Sequence, residues 1–457
     1  MKEKVFFIGI GGSGMMPLAN LASQLGYIVS GSDSDAKKAL LFAEKHFQVF
    51  QTQSASNITD QDIVVYSSAI SSSHPEMTGA RENGKEVLHR MEFLNRIADR
   101  CAFRIAVAGT HGKTSTTSMI GWVLKEVGLD PDIIAGGRPL YLPDGVRMGR
   151  GETAVYETDE SDGTFLRANA QLRLCLNVDH DHLDYYGNYE SLCHAFSQFI
   201  EGAKTAVVYE NDPYFRELES QVSYATLEEP FQSEAQMRSK YRGIFEDGQV
   251  MRVVYPGGEG QIRLLVPGRH FARNALGAFA LLNEGFKSGL LPGKVDGAKL
   301  LEALNTFPGV ERRIEKIGAV RGCAVYDDYG HHPTEIRAVI LALRERLAAD
   351  GKLIVVFQPH RFTRTRDLHS EFAAALSLAD RVYLLPLYSS GEAAIPGVDS
   401  SLILRDMSVG KAELLEGDAL AKVFETTSAS DVVISQGAGD ISGLFRNYLD
   451  KASIRRD

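Results

Sequence analysis

The sequence predicts an α/β protein of three successive units, with parallel or mixed sheets flanked by helices. Three observations carry that prediction. Short apolar runs alternate with helical segments, the pattern of strand–crossover–strand units covered on both faces. That pattern restarts twice, at Arg104 and after the proline–glycine break in "FPGVERRIE", which begins at Phe307. The chain has 457 residues, 44% hydrophobic and 24% charged, enough for roughly two to four domains with a core in each.

The elements follow in order. Val5 to Ile10 is a short buried strand, and Met15 to Leu25 is a helix after a glycine-rich turn. A second strand starts at Ile28 and ends before Asp33. Ile63 to Tyr66 is another, closed by the Ser67-Ser68 turn. The first unit ends near Asp99. In the second unit "RIAVAG" is a strand, and the helix after it buries Met119, Ile120, Val123 and Val127. Further strands fall at Ala154–Glu157, Leu172–Val178 and Thr205–Tyr209. The run Asn211-Asp212-Pro213-Tyr214 reads as a turn. From there to about Gly260 short strands and turns read as an irregular excursion from the second sheet. In the third unit Ala324–Asp327 is a strand and Thr334–Leu347 a helix, opened by Pro333, whose missing N–H costs nothing there. Leu353–Phe357, Arg381–Leu385 and Asp431–Ser435 complete the strands.

Composition excludes several classes. With 49 basic against 59 acidic residues and a formal charge of −10, the chain lacks a general nucleic-acid surface. No apolar run reaches bilayer length, so no stable membrane insertion is expected. The N-terminal strand lacks the features of a signal peptide. Cys101, Cys175, Cys193 and Cys323 have neither paired nor metal-like spacing. Reduced structural thiols in the cytoplasm are expected.

The strongest chemical signal is Ala108-Gly109-Thr110-His111-Gly112-Lys113-Thr114, between an apolar strand and a helix. Small residues let backbone amides approach phosphate oxygens, and the helix N-terminus adds donors and a favourable dipole. Lys113 can meet the β/γ-phosphates, and Thr114 can offer its hydroxyl to Mg2+. Val107 stands where a Walker A pattern wants glycine, so the match is to a shortened phosphate loop. Carboxylates follow two later strands: Glu157, Asp159, Glu160 and Asp162 in one run, Asp179 and Asp181 beside His182 in another. Both runs are expected at the strand C-terminal edge, beside the loop. Glu157 and Thr114 suit Mg2+, while His182 either completes a second metal site or orients a metal-bound water. Turn formation and helix capping are the other reading of these acids.

The first glycine-rich turn carries Gly9, Gly11, Gly12, Ser13 and Gly14, with Asp33 after the next strand. It admits a dinucleotide or another nucleotide diphosphate. A dehydrogenase would leave Lys113 and Thr114 unexplained. Ser68 can bond a sugar or phosphate or close a turn, and Arg90 can neutralise a phosphate or stay solvated. In the third unit, Asp327, Asp328, His331 and His332 form either a ligand-facing turn or a helix cap. His360, Arg361 and Arg364 follow a strand in "FQPHRFTRTRD", where arginine forks can hold a carboxylate.

Taken in order, "GIGGSGM", "SGSD", "AGTHGKTSTT", "ETDESDGTF", "NVDHDHLDYYG", "GRHFARNALGA", "FPGVERR", "DDYGHHPTE" and "FQPHRFTRTRD" resemble the Mur ligase family over nearly the whole length. The resemblance implies a three-domain Mur ligase-like architecture. Residues 1–99 would form a UDP-sugar-binding Rossmann-like domain. Residues 100–311 would bind ATP, and 312–457 would close over the amino acid. It implies a cytoplasmic enzyme joining L-alanine to the lactyl carboxylate of UDP-N-acetylmuramate, with ATP and Mg2+, through an acyl phosphate. A tripeptide-adding murein-recycling ligase is the alternative within the family, and a nucleotide-controlled interaction protein the alternative outside it. The oligomeric state is left as monomer or homodimer.

The resemblance also assigns roles. Gly11, Gly12, Ser13 and Gly14 would contact the UDP-sugar, with Asp33, Ser68 and Arg90. Gly109, Thr110, His111, Gly112, Lys113 and Thr114 would hold ATP phosphates. Thr114, Glu157 and His182 would organise metal. His270 and Asn274 would lie on the adenine side, with Asp327, His331 and His332 facing ATP. Arg312 would bind the terminal phosphate, and His360, Arg361 and Arg364 the closing substrate. Phe271 departs from the family, which often has asparagine there. The first lysine after His182 is Lys204, too far on for the carbamylated lysine some relatives use.

Overall fold

The computed structural model describes residues 2–12, 14–35, 47–142, 144–218, 222–228, 239–246, 250–416 and 419–454. Among the described residues the strands form three sheets. The first holds β1 (Lys4–Ile8), β2 (Ile28–Ser32), β3 (Gln48–Phe50), β4 (Ile63–Tyr66) and β5 (Glu86–His89), all parallel, in the order β3-β2-β1-β4-β5. Val5, Phe6, Phe7 and Ile8 are wholly buried, as a continuous apolar run in a sheet covered on both faces requires. β1 stops at Ile8 rather than Ile10 because Gly9 turns the chain at φ 72°, a conformation that favours glycine. The strand order reverses beside β1, so the turns after β1 and β4 open on one crevice.

The second sheet contains β6 (Phe103–Ala108), β7 (Asp132–Ile134), β8 (Val146–Arg147), β9 (Thr153–Glu157) and β10 (Leu172–Cys175). It continues through β11 (Thr205–Tyr209), β12 (Val222–Glu228), β13 (Tyr241–Phe245), β14 (Val250–Tyr255) and β15 (Gly258–Arg263). Its order is β15-β14-β13-β12-β11-β10-β6-β9-β7-β8. Within the stretch expected to be an irregular excursion, the described strands extend this sheet, while residues 219–221, 229–238 and 247–249 lie outside the described residues. β12 pairs parallel with β11, and β13 with β12, before β14 turns antiparallel. β12 to β15 run five to seven residues, and only the outermost, "GEGQIR", is largely exposed, so it is their pairing that places them in this sheet.

β16 (Glu315–Val320), β17 (Cys323–Asp328), β18 (Leu353–Phe357), β19 (Arg381–Leu384), β20 (Ala412–Leu414) and β21 (Val432–Gln436) form the third sheet. The order is β16-β17-β21-β18-β19-β20, parallel except for β16 against β17.

The chain divides into two compact units. One is Met1–Glu246 with Met251–Arg263 and Arg273–Pro308; the other is Asp247–Val250 with Leu264–Ala272 and Gly309–Asp457. The first two sheets share a unit because one apolar core runs through both, from Val5 and Phe7 to Ala106, Tyr156 and Phe196. Hydrogen bonds reinforce it: Asn95 Nδ2 donates to Arg167 O at 2.7 Å, and Ser68 Oγ to Asp162 at 2.6 Å. Among the described residues no helix is long and apolar enough to cross a membrane. All four cysteines are free and buried. Burial pushes the Cys101 thiol up to about 12, so it is a packing group at neutral pH.

Candidate active site

β6 delivers the chain to the turn Gly109–Gly112, and the helix Lys113–Glu126 leaves it. Gly112 caps that helix at φ 89°, with no room for a side chain, since a Cβ there would lie 2.4 Å from Asn274 Nδ2. The segment after β10 fastens the turn. Thr110 N donates to Asn177 O at 3.1 Å, His111 N to Asn177 Oδ1 at 2.9 Å, and Asp179 N to Thr110 Oγ1 at 2.9 Å. His111 Nε2 lies 3.0 Å from Asp179 Oδ2. Asn177 thus holds the loop on two sides, a role its position in "NVDHDH" did not disclose. Lys113 Nζ folds back, donating to Gly109 O at 2.8 Å and to both oxygens of Glu160 at 2.9 and 2.8 Å. Burial opposes its charge, but Glu160 and Asp159 outweigh that and hold the ammonium above the usual lysine range.

Glu157 ends β9 at the same edge. Its carboxyl is buried, which raises it above the usual carboxylate range, against the pull of a hydrogen bond from Thr114 and the charge of Lys113. Oε2 has no hydrogen-bond partner among the described residues. A Cβ on Gly136 would fall 1.8 Å from Oε1, so only glycine at 136 leaves room for this carboxylate. An orphaned carboxylate oxygen beside a hydroxyl is the donor set a hard cation takes, so these residues fit Mg2+. His182, at φ 56°, brings Nε2 to 3.7 Å from Glu160 Oε1 and 3.7 Å from Asp181 Oδ2.

The first sheet faces this edge. Gly14 precedes the helix Met15–Gln24 and packs so closely on Arg90 that a Cβ would meet Nη1 at 2.7 Å. Arg90 Nη2 reaches Asp159 at 3.0 Å and Asp162 at 3.4 Å. Those contacts, with Lys113, pull Asp159 down to about 2 despite its burial. Asp162 also accepts from Thr164 N, so it is both turn former and partner. Ser68 donates to Asp162 and lies 3.0 Å from His89 Nε2. Asp33 accepts from Gly11 N at 2.9 Å and Asp35 N at 3.0 Å, gripping the glycine turn. Ser13 lies outside the described residues. Between the two sheets is a cavity of about 180 Å³, lined by Gly14, Pro17, Leu18 and Arg90 on one side and by Lys113, Gly136, Glu157 and Asp159 on the other. Gly12 sits in the turn, its amide on Gly9 O at 3.0 Å.

The second unit carries the remaining residues. Arg312, at φ 56°, donates to Gly437 O at 2.5 Å and lies over the Tyr329 ring at 4.9 Å. Asp327 lies in β17. Its carboxylate is wholly buried and accepts from Ser435 Oγ at 2.7 Å and Ser442 Oγ at 2.5 Å. His332 caps the helix Pro333–Arg344 in a capping box with Glu335, the bland alternative that its position allowed. Burial lowers His331 to about 4, with Glu335 opposing. His360 also falls to about 4, through burial and then the neighbouring His331 and arginines. Its ring stacks on Tyr388 at 5.7 Å, and Arg364 Nη1 lies 3.4 Å from His360 Nδ1. Arg361 is held at φ 73° by its amide on Tyr388 O, at 2.9 Å. His270 belongs to this unit and Asn274 to the first, so the two fall in different compact bodies.

Family models match three consecutive stretches: the Mur ligase family catalytic domain at residues 4–101, the Mur ligase middle domain at 107–282, and the Mur ligase glutamate ligase domain at 312–439. The UDP-N-acetylmuramate–L-alanine ligase of Rhizobium etli is 39% identical over 460 residues, covering 96% of this chain and 94% of the relative. The solved UDP-N-acetylmuramate–alanine ligase of Thermotoga maritima is 28% identical with a TM-score of 0.82, over 99% of each chain. A murein peptide ligase of Psychrobacter arcticus shares the fold at 22% identity and TM-score 0.68, over 98% of each chain.

Proposed function

This chain belongs to the Mur ligase family, and we propose that it joins L-alanine to the lactyl carboxylate of UDP-N-acetylmuramate in an ATP-dependent reaction of peptidoglycan precursor synthesis. The reading divides the work among residues 1–99 for the UDP-sugar, 100–311 for ATP and 312–457 for the amino acid. The observation that carries it is the cavity in which Gly14 and Arg90 oppose Lys113 and Glu157. A carboxylate presented from the glycine-turn side would enter beside the groups that suit a terminal phosphate.

The chemistry needs that meeting. A carboxylate resists amines because oxide is a poor leaving group. Transfer of the γ-phosphoryl from ATP to a carboxylate oxygen gives an acyl phosphate and ADP. The neutral amine of L-alanine then attacks the carbonyl, the nitrogen gives up one proton to water, and phosphate leaves from the tetrahedral adduct with its C–O bond broken, leaving the amide. The turn amides of Gly109–Gly112 and the Lys113 ammonium stabilise phosphoryl charge. Thr114, Glu157 and His182 would hold Mg2+, which supplies Lewis-acid neutralisation of phosphate oxygens. Arg312 adds charge at the terminal phosphate. Arg361 and Arg364 take the alanine carboxylate, with His360 and His331, held neutral by burial, as hydrogen-bonding partners. Asp327, His331 and His332 would face ATP, while Asp327 also holds Ser435 and Ser442 and His332 caps its helix.

Product mass analysis with UDP-N-acetylmuramate, ATP, Mg2+ and either L-alanine or the L-alanyl-D-glutamyl-diaminopimelate tripeptide tests this. The expected outcome is an alanine amide with ADP and phosphate. Product from the tripeptide alone would make the chain a recycling ligase. Nucleotide binding with no amide product would make it a binding protein.

A further inference from the structure

Glu160 holds a position that the reaction above does not use. It is wholly buried, and both its oxygens lie on the Lys113 ammonium, at 2.9 and 2.8 Å. Its backbone is pinned: Glu160 O accepts from Tyr186 Oη at 2.6 Å and from Gly163 N at 3.0 Å. The same Oε1 that meets Lys113 lies 3.7 Å from His182 Nε2. Lys113 meanwhile lies back over the carbonyls of Gly109 and Thr110, at 2.8 and 3.3 Å. That pose keeps the ammonium on its own loop, with a carboxylate where an anionic ligand would bind it. Glu157, Asp159 and Glu160 surround this single lysine, and Arg90 takes only Asp159 among them.

We propose that Glu160 is the positioning residue of the phosphate loop: its carboxylate stands in for a phosphate against Lys113 and gives up that ammonium when a nucleotide bound to a divalent cation arrives. The inference rests on the reading of this loop as the nucleotide site. Its consequence is selection. A nucleotide without its cation meets an uncompensated carboxylate at Lys113, and like charges repel. A nucleotide carrying a cation turns the same carboxylate into an attraction. Glu160 thus makes the loop discriminate against metal-free nucleotide.

The test is calorimetric binding of ADP to the full chain, once with Mg2+ and once with EDTA. For the wild type the ratio of the two dissociation constants is expected to be large. In Glu160→Gln, which keeps size and loses charge, the ratio should fall at least tenfold, mainly because ADP in EDTA binds more tightly. A merely structural role would weaken both constants together and leave the ratio unchanged, which overturns the inference. No ADP binding by the wild type in Mg2+ would overturn the nucleotide reading, and the inference with it. If Glu160→Gln does not fold, an ADP-bound crystal structure of the wild type decides: the Lys113–Glu160 pair must have opened beyond about 4 Å. A pair kept at its present distances refutes the inference.

Discussion

Replacing Lys113 by alanine separates what the lysine does for the fold from what it does for the chemistry. The ammonium is paired with Glu160 at 2.8 Å, and that carboxylate has 1% of its side chain exposed. Removing one partner of a buried pair strands the other, at a cost on the order of 3–5 kcal/mol. For a domain of this size that is about 6–10 °C in thermal midpoint, less whatever Glu160 regains by taking a proton. Adding Glu160→Gln removes the stranded charge and should return most of the midpoint. Activity should not follow. Losing a preorganised charge at the transferring phosphoryl costs about 10²–10³ in kcat, and the double variant lacks that charge too. The assays are differential scanning calorimetry and phosphate release with UDP-N-acetylmuramate, ATP, Mg2+ and L-alanine. UDP-sugar binding should stay near wild type. Phosphate release by Lys113→Ala at the wild-type rate would refute the catalytic role. A double variant no more stable than the single would refute the pairing argument.

Gly112→Ala places a Cβ at φ 89° and 2.4 Å from Asn274 Nδ2. It should cost about 1–3 kcal/mol in chemical denaturation and weaken ADP binding in calorimetry. The second unit should lose stability in acid. His331 titrates near 4 in the fold against 6.5 when free, so its contribution is complete above pH 6.5 and drains away as the pH falls toward 4. Thermal midpoints from pH 7 to 5 should therefore fall more steeply for the wild type than for His331→Gln, and parallel curves would contradict this. Arg361→Ala should raise KM for L-alanine at least tenfold, with ATP dependence little changed, in steady-state phosphate release.

Much of the site was legible because its signals are local. The run from Phe103 through Thr114 combines a strand, a glycine turn and a helix start, and the structure has all three in place. Glu157 could be set beside it because a parallel sheet gathers strand ends on one edge. What stayed hidden depends on contacts far apart in the chain. Ser68 meets Asp162 across 94 positions, and nothing in either run announces it. Gly136 mattered only once Glu157 was seen against it. The partners of Asp327 were equally hidden: Ser435 and Ser442, far along the chain, hold its buried carboxylate. The short strands expected up to about Gly260 were read as leaving the second sheet, because pairing partners far apart in the chain place β12 to β15 within it.

The placement of β6 between β10 and β9 has a consequence for biosynthesis. The strand that ends in the phosphate loop cannot be flanked on both sides until Cys175 has left the ribosome, and Asn274 reaches the loop a hundred residues later still. At roughly 5–20 residues per second, the loop waits on the order of ten seconds after its own synthesis for its last neighbour. A nascent chain cut short between Cys175 and Asn274 would therefore carry the glycine turn without the side chain that packs against it at Gly112.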